Sequence, residues 1–475
     1  MSSGKFRNVR QYDGEQVART CARICAMSKD HAITIVQTLR QKGFSAYLAG
    51  GCVRDMLLDR EPRDYDVATS ALPDDVMNIF PETYAVGVQF GVVLVADPSS
   101  PSATDAGKRG RRTVEVATFR SDHGYTDGRR PDEVRFSRDP REDVARRDFT
   151  INGMMLDPIG GEVLDYVGGR DDLKAGVVRT IGDPALRFAE DKLRMLRAVR
   201  FAAGFEYGIE PRTLSAIHRF ANDIQVVSRE RVRDELTRML TDGHPRTAFQ
   251  WLDQTGLLKE VLPEIAAMKG VEQPAEFHPE GDVFVHTLMV LENLPQPCPP
   301  ELAWGALLHD VGKPATFRRA PERIRFDGHV EVGVTIAREI CRRLRFSTGE
   351  TEQVIALVEN HMRFGHVTRM KESTLKRFLR LPKFDEHLAL HRADSLASHR
   401  NLSTYDLLQE KLREIPPQQI APAPLATGDD LIRAGYKPGP RFREILEAVE
   451  DAQLEGRLSS RGAALEFVRA NFPPE

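Results

Sequence analysis

One stretch of this sequence restricts the fold more than any other: LAGGCVRDMLLDREPRDYDVAT, from Leu48 to Thr69. SAYLAGG reads as a strand entering a Gly-Gly turn and CVRDMLLD as a short helix. DYDVATS reads as a second strand, because Asp, Asp and Ala alternate there with Tyr, Val and Thr. Asp64 and Asp66 stand at i and i+2, so on a strand they share a face. Two carboxylates that close repel unless something positive sits between them. Together they suit a hard cation such as Mg²⁺, which usually completes its shell with substrate phosphates. Gly50 and Gly51 let backbone amides approach a phosphate at the start of a helix, where anions are favoured. Arg54, one turn further on, can grip a phosphate with two donors. A bare Asp-x-Asp is usually a turn with exposed acids; with the Gly pair and the Arg at this spacing, the set suits metal-assisted phosphoryl or nucleotidyl transfer.

The surrounding chain fits an α/β unit. HAITIVQTLRQKGF is expected to be helical over roughly 30–45, ending at Gly43, and FGVVLVA and TVEVATFR are expected to be two more strands. Between those strands, DPSSPSATDAGKRG reads as a mobile surface loop. From about Asp183 the pattern turns helical. LPQPCPPE (Leu294 to Glu301) reads as a linker-like break, and PPQQIAPAPLATG (Pro416 to Gly428) as a Pro-rich linker before a small helical tail. A chain of 475 residues is too long for one core. Its five cysteines (Cys21, Cys25, Cys52, Cys298 and Cys341) lack paired zinc spacing and read as small buried thiols. There is no apolar run long enough to span a membrane and no apolar leader at the N-terminus, so a cytoplasmic protein is expected, with no membrane partner. The net charge of −3 does not announce a nucleic acid. Local basic runs do offer phosphate contacts: GKRGRR (Gly107 to Arg112), Arg187 to Arg200 and Arg229 to Arg238.

GGCVRDMLLDREPRDYDV resembles the signature of class II tRNA nucleotidyltransferases and bacterial poly(A) polymerases, with Asp59 where that signature has Gly. The family's other motifs follow in order. RRDFTIN (Arg146 to Asn152) resembles the ribose- and phosphate-contacting motif, with Gly153 in place of the usual Ala; Arg147, Asp148 and Asn152 are its implied nucleotide contacts. DYVGGRDDL (Asp165 to Leu173) resembles the hinge motif, and SRERVRDEL (Ser228 to Leu236) the supporting helix. EDKLRMLRAVRFAA (Glu190 to Ala203) resembles the nucleotide-selecting helix, which carries Asp191, Arg194 and Arg197. GYTDGRRPDEVRFS (Gly124 to Ser137) resembles the flexible loop used in switching from C to A addition. Val88 and Gln89 stand where poly(A) polymerases carry a basic pair.

The selecting pair has a physical rationale. Asp191 and Arg194 are three apart and would share a face of a continuous helix. Asp accepts from an exocyclic amine and Arg donates to the neighbouring ring acceptor, so the pair suits cytosine and adenine and clashes with uracil and guanine. On spacing alone an ordinary i,i+3 ion pair is the other reading. Glu115, in VEVATFR, stands either as a third acid near the metals or as an exposed strand residue.

A second constellation lies downstream: His286, then His309 and Asp310 in HDVGK, His329, His361 and Asp394. Imidazole and carboxylate together suit Mn, Ni, Co, Fe or Zn rather than Mg. The order resembles the HD phosphohydrolase domain, with room for one or two metals that generate hydroxide for phosphoester hydrolysis.

The resemblances imply an α+β fold: an N-terminal small mixed or antiparallel-sheet nucleotidyltransferase palm over 30–180, an all-α neck and body over 181–275, an α-helical HD domain over 280–400 and a helical tail over 425–475. They imply template-independent addition of C, C and A from CTP and ATP to tRNA 3′ ends, with Mg²⁺ on Asp64 and Asp66, Glu115 counted with them as catalytic, and no DNA partner. An HD side activity on phosphoester ends is implied beside it. Addition of A alone, poly(A) synthesis, or a phosphohydrolase with an RNA-binding N-terminal module are the alternatives.

Overall fold

The computed structural model describes residues 29–98, 112–125, 128, 131–274, 276, 280–321 and 323–473. Cys21, Cys25 and most of the expected 97–110 loop fall outside these. The chain divides into two compact units, Met1–Val227 with Thr255–Leu257, and Ser228–Gln254 with Leu258–Glu475.

The first unit opens with helix α1 (29–41), followed by β1 (Ala46–Ala49), α2 (Gly51–Leu57), β2 (Asp66–Thr69), α3 (Pro73–Ile79), β3 (Thr83–Gly87), β4 (Val92–Ala96) and β5 (Thr113–Thr118). Then come β6 (Arg120–His123), β7 (Glu133–Phe136), α4 (Pro140–Ala145), β8 (Met154–Leu156), β9 (Val163–Asp165), α5 (Gly169–Ala175), α6 (Pro184–Glu190), α7 (Leu193–Phe205) and α8 (Pro211–Phe220). Seven strands make one mixed sheet in the order β3-β4-β5-β2-β1-β8-β9. The β2–β5 pair is parallel and its neighbours antiparallel, which agrees with the expected mixed sheet. In β5 the valines alternate inward and Thr113 and Glu115 outward, so apolar spacing alone sets which face carries chemistry. Ala49, Ala68, Phe119, Val144 and Met155 close a core under that sheet, tying α4 to β1, β2 and β8.

Part of the stretch expected to be a flexible loop, Gly124–Ser137, is regular: its end forms β7, paired antiparallel with β6 from Arg120↔Phe136 to His123↔Glu133. Val134 and Phe136 alternate with charged residues, which is enough for a hairpin arm.

The second unit is helical: α9 (Arg229–Thr241), α10 (Pro245–Gln254), α11 (Val283–Glu292), α12 (Pro300–Leu308), α13 (His329–Arg343), α14 (Thr348–Asn360), α15 (Glu372–Leu379) and α16 (Phe384–Ala397), then α17 (Ser403–Glu414), α18 (Gly428–Arg433), α19 (Pro440–Leu454) and α20 (Arg461–Asn471). Helix α12 is buried all round from Leu302 to Leu308, the pattern of a central helix. The Pro-rich 294–301 stretch is not a linker. It is a turn between α11 and α12, which pack on each other, and Leu294 and Cys298 are buried in it. A separate cluster of Leu431, Tyr436, Ile445, Val449, Ala464 and Val468 holds α18–α20 together. Cys52, Cys298 and Cys341 are free, buried thiols. Among the described residues no helix is long and apolar enough to cross a membrane.

Candidate active site and metal centre

The first site assembles at the β1–α2 turn. Gly50 caps α2 with φ 79°, a conformation that favours glycine, and a Cβ there would stand 2.8 Å from Arg147 Nη1. Strand β2 leaves from beside this turn carrying Asp66, which lies in parallel register with Glu115 of β5. Paired residues of neighbouring strands face the same side, so Glu115 stands next to Asp66 as the third-acid reading requires. Asp64 lies in the exposed segment just before β2. Burial and then Glu115 push the Asp66 carboxyl up to about 6, with Asp64 adding to the rise and Arg147 opposing it. The crowding of like charge is the property a divalent cation would relieve.

Around this turn runs a network of paired side chains. Arg197 donates twice to Asp148 (2.9 and 2.6 Å), and Asn152 donates to the same carboxylate (3.1 Å). Burial works against the Asp148 charge, but Arg197 and these hydrogen bonds win and hold its pKa at about 2. Asn152 in turn accepts from Arg54 (2.5 Å). Arg54 is expected to grip a phosphate with two donors. Here its guanidinium turns inward to Asn152 and Asp55 and lies over the rings of Phe201 and Phe205, because α2 packs that face against the protein.

The selecting segment also differs from the expected single helix. Helix α6 ends at Glu190, Asp191 is extended (φ −148°, ψ 106°), and α7 starts at Leu193. The Asp191 carboxylate accepts from Leu193 N (3.0 Å), a local hydrogen bond that competes with helix continuation and restarts the chain as a cap. Arg194 sits in the first turn of α7 and donates to Glu190 (2.6 Å), the Arg187 carbonyl (3.1 Å) and the Arg146 carbonyl (3.2 Å). Asp191 and Arg194 stay neighbours, joined by the Arg194 N–H to the Asp191 carbonyl (3.1 Å), but do not share one helix face. A cavity of about 600 Å³ opens beside them, lined by Tyr125, Arg146, Arg187 and Glu190.

Sequence reasoning missed Asp143. It is fully buried and accepts from both Arg146 (2.9 and 2.6 Å) and Arg147 (3.2 and 2.9 Å). Burial raises its pKa, yet Arg147 and then Arg146 bring it below the usual carboxylate range. Its signal was present as i,i+3 and i,i+4 spacing to the Arg pair that follows the end of α4.

Two departures from the family signature have local reasons. Asp59, where the signature has Gly, adopts φ 53°, a left-handed conformation that Asp tolerates better than most residues. At Gly153 a Cβ would stand 2.8 Å from both Ile181 and Val167, so Ala would require them to shift.

In the second unit, His286, His309, Asp310, His329, His361 and Asp394 converge. Two sets of three, His286–His309–Asp394 and Asp310–His329–His361, each bring ligand atoms within 4.8 Å of one another. His309, His329 and His361 direct Nδ1 to the carbonyls of Ala306 (2.8 Å), Phe326 (2.9 Å) and Val358 (2.7 Å). His286 directs Nδ1 to Glu280 (2.7 Å). These contacts fix the tautomers and turn four Nε2 atoms to one centre. Asp310 lies amid them, 3.1 Å from His309 Nε2, 3.7 Å from His329 and 3.8 Å from His361. Burial and the neighbouring His309 push the His361 imidazole down to about 4, so it stays neutral as a ligand must. Burial also opposes charge on His286, but Asp394 and Glu280 outweigh it and raise its pKa to about 9; a metal would take that proton's place. The N/O donor set gathered around Asp310 fits a transition metal. Lys313 binds Asp310 (2.7 Å) and Gln273 (2.6 Å), and a cavity of about 660 Å³ with Arg323 and Arg325 at its wall opens over the centre.

The family model for the poly A polymerase head domain matches residues 46–179, that for a probable RNA and SrmB-binding site of polymerase A matches 206–269, and that for the HD domain matches 283–398. The chain is 41% identical to a CCA-adding enzyme of Geobacillus sp. (strain WCH70) over 438 residues, 90% of this chain and 93% of that one. It is 38% identical to a CCA-adding enzyme of Lactobacillus helveticus over 263 residues, a match that spans 55% of this chain and 62% of that relative. Its fold superposes on the Bacillus stearothermophilus CCA-adding enzyme in complex with CTP with a TM-score of 0.70 at 26% identity, covering 92% of this chain and 97% of that one.

Proposed function

The chain belongs to the CCA-adding enzyme family, and from that premise we propose that it adds C, C and A in turn to tRNA 3′ ends from CTP and ATP, working in the cytoplasm. The observation that carries the assignment of its chemistry is the side-by-side register of Asp66 and Glu115 at the Gly50–Gly51 turn. Asp64, Asp66 and Glu115 would hold Mg²⁺, which when bound supplies charge neutralisation for the triphosphate and the departing pyrophosphate. The backbone at Gly50 and Gly51, at the start of α2, admits a phosphate at close range. Arg147, held against Gly50, adds positive charge on the same side. Asp148 orients Asn152 and Arg197 toward the nucleotide. Asp191 and Arg194 read the base edge, each matched bidentate contact contributing about 1–3 kcal/mol of discrimination. We assign the roles of the 30–180, 181–275, 280–400 and 425–475 segments as the resemblance implies: catalysis, nucleotide selection with RNA binding, phosphoester hydrolysis, and RNA support.

The test is incorporation of labelled CTP and ATP into tRNAs lacking CCA, CA or only A. Addition to all three, stopping after A, supports the reading. Addition to the last alone would make it an A-adding enzyme, and long A tails a poly(A) polymerase.

The intact HD cluster favours a second activity on the same chain, hydrolysis of phosphoester ends by a bound Mn, Ni, Co, Fe or Zn ion. Asp310→Asn should remove metal-dependent hydrolysis of a nucleoside 2′,3′-cyclic phosphate and leave CCA addition intact. Loss of both together would count against two separate centres.

A further inference from the structure

The two halves of the nucleotide site meet at one carboxylate that has no place in the roles above. Asp143 lies on α4, fully buried, and is bridged to two successive arginines that point in different directions. Arg147 runs toward the triphosphate side, its Nη1 2.8 Å from where a Gly50 Cβ would be, and its charge is felt by Asp66. Arg146 runs toward the base-selecting side: its guanidinium lies 3.7 Å from Asp122 of β6, and its carbonyl accepts from Arg194 at 3.2 Å. Asp122 in turn accepts from Tyr125 (3.2 Å), at the cavity wall beside Glu190.

We propose that Asp143 is a positioning residue for nucleotidyl transfer, one carboxylate that sets Arg147 for the triphosphate and Arg146, with Arg194 behind it, for the base. The inference rests on the nucleotidyl-transfer reading. A planar guanidinium gripped through two nitrogens has little freedom to rotate, and both arginines are gripped that way. Removing the charge of Asp143 leaves two guanidiniums near each other with no shared counter-ion, so both arms lose their alignment in one step. Misplacement on this scale costs about tenfold or more in a reaction that depends on orientation.

The experiment uses the full chain with Mg²⁺, and tRNA lacking CA with CTP or UTP, and tRNA lacking A with ATP. Asp143→Asn should raise KM for CTP and ATP, and lower the ratio of kcat/KM for CTP over UTP, each by about tenfold. A merely structural role would reduce the folded fraction, and with it kcat, without moving KM or the ratio. If Asp143→Asn does not melt cooperatively, Arg146→Gln carries the test, since it removes the Arg146 guanidinium from the base-selecting side and leaves both the Arg146 carbonyl that Arg194 touches and the Asp143–Arg147 pair. It should lower the CTP-over-UTP ratio by a similar factor. KM and ratio within about threefold of wild type in the folded variants overturn the inference. A wild-type chain that adds no nucleotide to any tRNA would instead remove the nucleotidyl-transfer reading itself.

Discussion

Asp66→Asn should make the first unit more stable while it destroys the reaction. The Asp66 carboxyl is held near pKa 6 against an ordinary value of 3.8, first by burial and then by Glu115. Between those two values the native state binds the proton more tightly than the unfolded chain does, so stability falls as pH rises through that window. At neutral pH the charge is present and its cost complete. A rise of about two units corresponds to about 3 kcal/mol. Asp66 is only half-buried, and solvent screening reduces the realistic figure to about 1–2 kcal/mol. Asn keeps the shape and removes the charge. In metal-free buffer at pH 7.5, urea should therefore unfold the variant at higher concentration than wild type, and the gap should close near pH 4. Both tryptophans, Trp251 and Trp304, lie in the second unit, so their fluorescence serves as the reference transition. Hydrogen exchange in peptides covering β2 and β5 follows the first unit. Adding Mg²⁺ should stabilise wild type by mass action and the variant much less. CCA addition by the variant should fall by about a hundredfold or more. A variant no more stable than wild type at pH 7.5 without metal, or one equally stabilised at pH 4, would refute the like-charge account of this site.

Other expectations follow from the same geometry. Gly50→Ala combines an unfavourable φ with a clash at Arg147, and should raise KM for CTP about tenfold in steady-state assays while costing about 1 kcal/mol in unfolding experiments. Gly312→Ala acts by space alone, since a Cβ there would meet the His329 carbonyl and Gly333 N. The second unit should lose about 3 kcal/mol or more, read by tryptophan fluorescence, with the first unit unaffected. His361→Ala should lower transition-metal affinity by about 10–100-fold in metal titrations followed by elemental analysis, and leave Mg²⁺-dependent CCA addition unchanged.

Much of the molecule is local enough to be read from the sequence. Strand-forming apolar runs placed β1, β2, β4 and β5, and in β5 the alternation follows from burying one face of the sheet, which writes period two into the residues themselves. The ordered motifs and the run of His and Asp ligands pointed to two chemistries, because each needs particular residue types whatever surrounds them. The errors came where short-range and long-range terms compete. Periodicity carried a helix through Asp191, but a side-chain cap was worth more than continuity there. Proline content marked 294–301 as a linker, yet burial of Leu294 and Cys298 makes it an interior turn.

What only the tertiary structure decided was the company each charge keeps. No spacing rule pairs Asp66 with Glu115 or turns Arg54 away from solvent onto Asn152, and spacing that allows Asp143 to pair with two arginines does not say that it is buried between them. Sequence determines which groups are available. Electrostatics acts through space in a dielectric set by burial, so which of those groups repel, pair or bind an ion is determined once the sheet and helices have brought distant residues together.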